Sequence, residues 1–151
     1  MARIYVPANA DMLRTLAGTG ELKPVSAVHT VTSWLRREAP DAVEEDLEYT
    51  AFADAALASI PLLAGGVPRR IVVSADVPDD RVAEHAEGTG ADFGGHVKLK
   101  RVAAVHADDA EAAEEVARAL AADEPDLDAV EAHVLDWYAP SEIQDFLAAL
   151  G

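Results

Sequence analysis

The stretch DAVEEDLEYTAFADAALASIPLLAGGVPRRIVVS, residues 41–74, runs from a helical pattern into a strand-like one. Asp41 and Glu44 stand three apart, the spacing of a capping box. Behind them Ala42, Tyr49, Phe52, Ala53, Ala56, Ile60 and Leu63 recur at three- and four-residue steps, which predicts an amphipathic helix over 41–63. Pro61 ends or kinks that helix, because it lacks an N–H and its ring meets the preceding turn. Gly65 and Gly66 then lead to RRIVVS (69–74), which reads as a strand. Another strand-like run, VSAVHTV (25–31), precedes the helix. Strand, helix, strand is the pattern of a crossover in a parallel sheet.

The same alternation extends outward. RIYVP (3–7) reads as the first strand, and Asn9 as the cap of a short helix carrying Met12, Leu13, Leu16 and Ala17 before Gly18 and Gly20 stop it. Residues 33–38 turn helically before Pro40. Asp79 or Asp80 caps a short helix through Ala86, and GTGADFGG (88–95) reads as a glycine-rich loop. VKLKRVAAVH (97–106) is one strand or two short ones. Asp108 with Glu111 opens a helix bearing Val116 and Leu120, and an acidic loop over 123–128 follows it. AHVLDWY (132–138) reads as a fifth strand. Ser141 with Gln144 caps a last helix whose face is Ile143, Phe146, Leu147 and Leu150. The expectation is one α/β domain over 1–151, with about five strands in a largely parallel sheet and flanking helices. The alternative is a ferredoxin-like α+β sandwich with some strands antiparallel.

Composition narrows the function classes. Half of the 151 residues are hydrophobic and only 5% aromatic, which suits a core of helices packed closely on a sheet. The net charge of −16 repels phosphates, so neither nucleic acid nor an anionic membrane surface is expected as a partner. Absence of cysteine excludes disulfides, thiol nucleophiles and thiolate metal sites. No apolar run follows a basic start, as a secretory signal requires. The longest uncharged stretch, 55–68, is interrupted by Pro61 and falls short of the roughly 20 residues that span a bilayer. These features read as a cytoplasmic protein. The few basic residues cluster, at Arg36-Arg37, Arg69-Arg70 and Lys98-x-Lys100-Arg101. Together they form a patch suited to the acidic face of another subunit, hence an expected homo-oligomer.

No phosphate loop, dinucleotide fingerprint, nucleophile elbow or HExxH is present, and no cofactor or metal is assigned. A parallel sheet would gather Asn9, Asp76, Asp79, His106, Asp108, Asp109, Tyr138 and Ser141 at its carboxyl edge, where acidic groups can hold a hard cation. The plainer reading makes Asn9, Asp79, Asp108 and Ser141 helix caps. His106 with Asp108, and His133 with Asp136, are the only close His–carboxylate pairs.

Two places break the pattern. Glu45 and Glu48 stand beside Tyr49, and Glu45 lies within the broad face of Tyr49 and Phe52 where an apolar residue is expected; a carboxylate held against apolar neighbours has a raised pKa and gains acid–base capacity. The simpler account is a wet first-turn glutamate favoured by the helix dipole. At the second place Asp136, Trp137 and Tyr138 stand together at a strand end, with His133 just before. Trp and Tyr there suit a ligand pocket or an interface, or else a core Trp with a Tyr plugging the sheet edge.

RIYVP (3–7), EEDLEY (44–49), RRIVVSADVP (69–78), VAAVHADDAEAA (102–113) and HVLDWYAPSEIQDFL (133–147) resemble, in that order, a group of short actinobacterial proteins known only as a domain of unknown function. The HxLxWY element is the most distinctive part. The resemblance implies no activity, cofactor or catalytic residue, but directs attention to 44–49 and 133–138. The leading expectation is a noncatalytic binding or regulatory domain with a protein or small-molecule partner. The alternative is a small metal-assisted hydrolase or transferase, which requires Glu45, Glu48, His133 and Asp136 to converge.

Overall fold

The computed structural model describes residues 1–150. In chain order its elements are β1 (Ala2–Ala8), α1 (Ala10–Thr19), β2 (Glu21–Leu22), β3 (Val28–His29), α2 (Ser33–Glu38), α3 (Glu44–Ser59) and β4 (Ile71–Val77). There follow β5 (Val82–Glu84), β6 (Gly90–Phe93), β7 (Val97–Lys98), β8 (Val102–Ala107), α4 (Ala110–Ala121), α5 (Leu127–Glu131), β9 (Asp136–Tyr138) and α6 (Ile143–Leu150). Seven strands form one sheet in the order β5-β6-β3-β1-β4-β8-β9, and β2 pairs with β7 in a separate ribbon. Every neighbouring pair is antiparallel.

The expectation of a largely parallel sheet is therefore overturned. The crossover over 41–74 does carry the chain back in the same direction. β3 and β4 are each antiparallel to β1, so they run parallel to one another with α3 between them in sequence. What the pattern did not reveal is that β1 occupies the slot between them. A second feature misled in the same direction. Six of the seven residues of β4 are buried, because helices cover both faces of the sheet. A strand buried on both sides loses its polar alternation and looks like a parallel strand whatever its neighbours' direction. The ferredoxin-like alternative anticipates antiparallel pairs, but a two-layer sandwich leaves one face bare.

The two faces are unlike. On one, Ile4, Val6, Ile71, Val73 and Val105 pack beneath Leu13 and Leu16 of α1 and Ile143, Phe146 and Leu147 of α6. Burying each such aliphatic side chain stabilises by roughly 1.5–3 kcal/mol. On the other, Tyr5 and Val72 meet Ala51, Ala55 and Ala56 of α3. A smaller cluster joins Leu63 to Val116, Ala119 and Val130 under α4 and α5.

Helix α3 is rotated from its expected stripe. Its buried residues are Leu47, Ala51, Ala55, Ala56 and Ser59, and Tyr49 is 66% exposed. Alanines on most sides of the helix leave its periodicity ambiguous, and the small side chains let it lie close on the sheet. The capping box over Asp41 and Glu44 does not form; Val43 is the cap position and offers no side-chain bond. Pro61 ends α3 in a 3₁₀ turn, Ile60–Leu63. Asn9 caps α1 as expected, accepting from the Met12 N–H at 2.9 Å.

Between β4 and β7 the predicted helix and loop are instead a hairpin. Only Asp79–Arg81 forms a helical turn, and β5 pairs with β6. Gly88 at φ 81° makes the reversal, a backbone conformation that other residues rarely adopt. Run 97–106 divides into β7 and β8, which belong to different sheets.

Candidate functional site

The polar residues of β1 and β4 set up the site. Arg3 and Tyr5 are two apart in an extended strand, so they share one face, the face that α3 only partly covers. Register places Arg3 opposite Asp76 and Tyr5 opposite Ser74. Arg3 donates from Nε to Asp76 Oδ1 at 2.8 Å and from Nη2 to Oδ2 at 3.0 Å. This fork holds Asp76 below the usual carboxylate range and Arg3 above its own, with the side-chain hydrogen bonds as the main cause. A second fork joins helices. Arg36, at the end of α2, donates to both oxygens of Glu44 in the first turn of α3, at 2.9 and 2.8 Å.

Between the two forks lies a cleft of about 460 Å³, lined by Arg3, Tyr5, Thr30, Arg36, Glu44 and Glu48, among others. Glu48 stands one turn after Glu44 and is half-buried. It is close enough to Tyr5 to raise that phenol's pKa, second only to burial. The other carboxylates on the wall have partners. Glu84 accepts the Ser33 N–H at 2.7 Å, and Asp79 lies 3.4 Å from the amino group of Met1. Among the described residues Glu48 has neither a hydrogen-bond partner nor an ion-pair partner.

Further polar pairs lie deeper on this face. Ser74 Oγ and His106 Nε2 are 3.0 Å apart. The imidazole packs edge-on to Phe52, with ring centres 4.8 Å apart, and burial lowers its pKa to about 4. The Ser–His distance would suit an activated nucleophile, but Ser74 is 1% exposed, so substrate has no approach to it. On the far side of β1 Thr89 donates to Asp54 at 2.6 Å and lies 2.9 Å from His29 Nδ1. Thr89 commits its single proton to Asp54, so the proton between Thr89 and His29 belongs to Nδ1.

The residues singled out from sequence are dispersed. Glu48 lines the cleft. Glu45 is exposed on the first turn of α3, and Tyr49 is exposed with its ring 6.3 Å from that of Phe52. His133 is half-buried, and its carbonyl accepts from Arg70 at 3.0 Å. Asp136 and Trp137 are exposed on the edge strand β9, so Trp137 is not a core residue. Tyr138 is half-buried against Phe146, with ring centres 4.8 Å apart. Of the seven, Glu48 alone lines the main cleft.

Nor does a common carboxyl edge exist. Alternating strand direction puts Asn9, Asp108 and Asp109 at one end of the sheet and Asp76 and Asp79 at the other. Asn9 and Asp109 are helix caps. His106 and Asp108 are not partners. Asp108 is completely buried and forms a fork with Arg70, at 2.9 and 2.7 Å, and it also accepts the Arg70 N–H at 2.8 Å. Among the described residues no group of three or more His, Asp or Glu side chains is placed to hold a metal ion.

Sequence reading missed Arg3 and Tyr5; it named Asp76, Arg36 and Glu44, but as a strand-end acid, a basic-patch member and a helix cap rather than as the partners they are here. The available signal was a charged and a phenolic residue at alternate positions of RIYVP. It marks a strand face that is not simply core. No helix among the described residues is long and apolar enough to cross a membrane. Neither a curated protein nor a solved structure matches the chain. A family model described as a family of unknown function matches residues 2–147, and with nearly the whole chain covered, the protein belongs to that family, DUF6912.

Proposed function

We propose that the protein is a noncatalytic binding domain whose cleft on the α3 face takes a small polar ligand carrying a cationic group, such as an amine. The observation behind this reading is Glu48, a half-buried carboxylate with neither a hydrogen-bond nor an ion-pair partner among the described residues, in a cleft of about 460 Å³ whose other charged groups each have one. That volume lies within the range usual for small-molecule sites. The Arg3–Asp76 and Arg36–Glu44 forks act as a rigid frame that needs no reorganisation on binding. Glu48 supplies the counter-charge and the Tyr5 hydroxyl a hydrogen bond. Binding rather than catalysis is favoured because Glu45, Glu48, His133 and Asp136 stand apart and the Ser74–His106 pair is sealed.

The test is thermal unfolding against a panel of amines, amino acids and nucleosides, run on the native protein and on Glu48→Gln. A ligand at a hundred times its Kd stabilises by about 2.7 kcal/mol, a shift of a few degrees for a domain of this size. The shift should vanish in the variant while its unliganded midpoint holds. A flat panel, or an equal shift in both proteins, would refute the cleft as the binding site.

A further inference from the structure

A second basin, on the other side of the Asp79–Arg81 turn from the α3 cleft, carries the opposite charge. It lies where the Asp79–Arg81 turn meets the segment from Phe93 to Arg101, and its volume is about 180 Å³. Arg81, Lys98, Lys100 and Arg101 line it, with His96 beside them, over an apolar floor that includes Val77, Phe93 and Val97. No carboxylate lines it, although the chain carries 28 Asp and Glu against 12 Lys and Arg. None of the four cations makes an ion pair among the described residues. Glu21 stands opposite Lys98 in the β2–β7 ribbon and 3.5 Å from His96 Nδ1. Asp79 and Asp80 share the turn with Arg81, and Asp79 pairs with the Met1 amino group.

Crowding four positive charges without counter-ions is unfavourable by itself, and an acidic chain has abundant means to neutralise them. Arg81 is also held in place. Its Nη1 donates to the Gly94 carbonyl at 3.1 Å, and its own carbonyl accepts the Gly94 N–H at 2.9 Å. Gly95, at φ 103°, leaves room for the guanidinium, since a Cβ there would lie 2.8 Å from Nη1. A fixed guanidinium with free lysines around it matches a phosphate group, which takes bidentate donation from arginine and point charge from lysine.

We propose that this basin binds a small phosphate-bearing molecule. Its size admits a phosphate with a small apolar attachment resting on Phe93 and Val97. The net charge of −16 works against a large polyanion such as nucleic acid, which would meet the acidic remainder of the surface. A small dianion meets only the local field, because screening shortens the reach of the rest to about 8–10 Å.

Calorimetric titration of the intact protein with inorganic pyrophosphate in about 0.1 M sodium chloride, where that screening holds, tests this. Saturable one-to-one binding is expected, weakening as sodium chloride rises. A double variant, K98Q with K100Q, should lose about tenfold or more in affinity while its circular dichroism and unfolding midpoint stay unchanged. R118Q, which removes a cation from α4, should bind as the native protein does. Three results would overturn the proposal. One is no saturable heat at millimolar pyrophosphate. Another is equal weakening in R118Q, which would reduce the effect to net charge. The third is a salt-labile dimer in sedimentation that pyrophosphate does not dissociate and that K98Q with K100Q abolishes, which would make the acidic face of a second copy the occupant.

Discussion

The two faces of the central sheet are written in the same strands, on alternate residues. Ile4, Val6, Ile71 and Val73 make one face almost wholly aliphatic, while Arg3, Tyr5, Ser74 and Asp76 make the other polar. The aliphatic face is covered by α1 and α6, which bury its centre. The polar face is covered by a helix of small residues whose first turns, with Glu44 and Glu48, border the open cleft beside Arg3. The difference teaches that stability and recognition are separated by one residue of phase along each strand. A one-residue slip of β1 would exchange the two.

The comparison is broken most severely at the end of the sheet, where a polar pair is buried as deeply as any leucine. Asp108→Ala leaves the Arg70 guanidinium buried without its counter-charge, and urea unfolding should show a loss of about 3–5 kcal/mol. Leu13→Ala tests the aliphatic face. Leu13 is completely buried, and its truncation should cost about 3 kcal/mol by the same measurement.

The polar face should instead reveal itself through pH. Burial holds His106 at a pKa of about 4, below the unfolded value of about 6.5, so the unfolded chain takes up the proton first. The stability contributed by the neutral imidazole is complete above about pH 6.5 and is lost as pH falls toward about 4. After allowance for the ring's partial exposure the loss is about 1–2 kcal/mol. His29 is lowered by burial too and titrates in the same direction. His106→Gln should therefore flatten only part of the slope of stability against pH, measured between 4 and 6.5. A slope unchanged in the variant would show that His106 is not the group involved. The smallest effect belongs to Trp137, which lies on the polar side beyond the cover of α3 and is 61% exposed. Trp137→Ala should change stability by less than about 0.5 kcal/mol.

Much of the fold was legible where local chemistry decides it. Asn9, Gly20 and Pro61 mark the ends of α1 and α3 because capping and proline act within a turn. The final helix buries Ile143, Phe146 and Leu147, as its spacing predicts. Strand direction was not legible, because the crossover over 41–74 looks the same whether β3 and β4 touch or β1 lies between them. The hairpin over 82–93 hid behind glycines that read as loop. For the site, Glu48 was found but its surroundings were not. Arg3 reaches Asp76 across 73 residues of sequence, and no local pattern encodes such a pairing. Arg70 and Asp108 were both noted, as members of a basic cluster and of an acidic strand end, and only the register of β4 with β8 joins them.

The insertion of β1 between β3 and β4 also sets the order of events during synthesis. β1 leaves the ribosome well before its partner across seven residue pairs, β4, which ends at Val77. At about 5–20 residues per second, several seconds pass before that partner exists. Until then Ile4, Tyr5 and Val6 have only the two-residue β3 to pair with and remain largely an open apolar strand, the kind of segment that nascent chains pair wrongly with one another. Arg3 within it and Asp11 soon after it are charges placed to keep that strand apart from its copies.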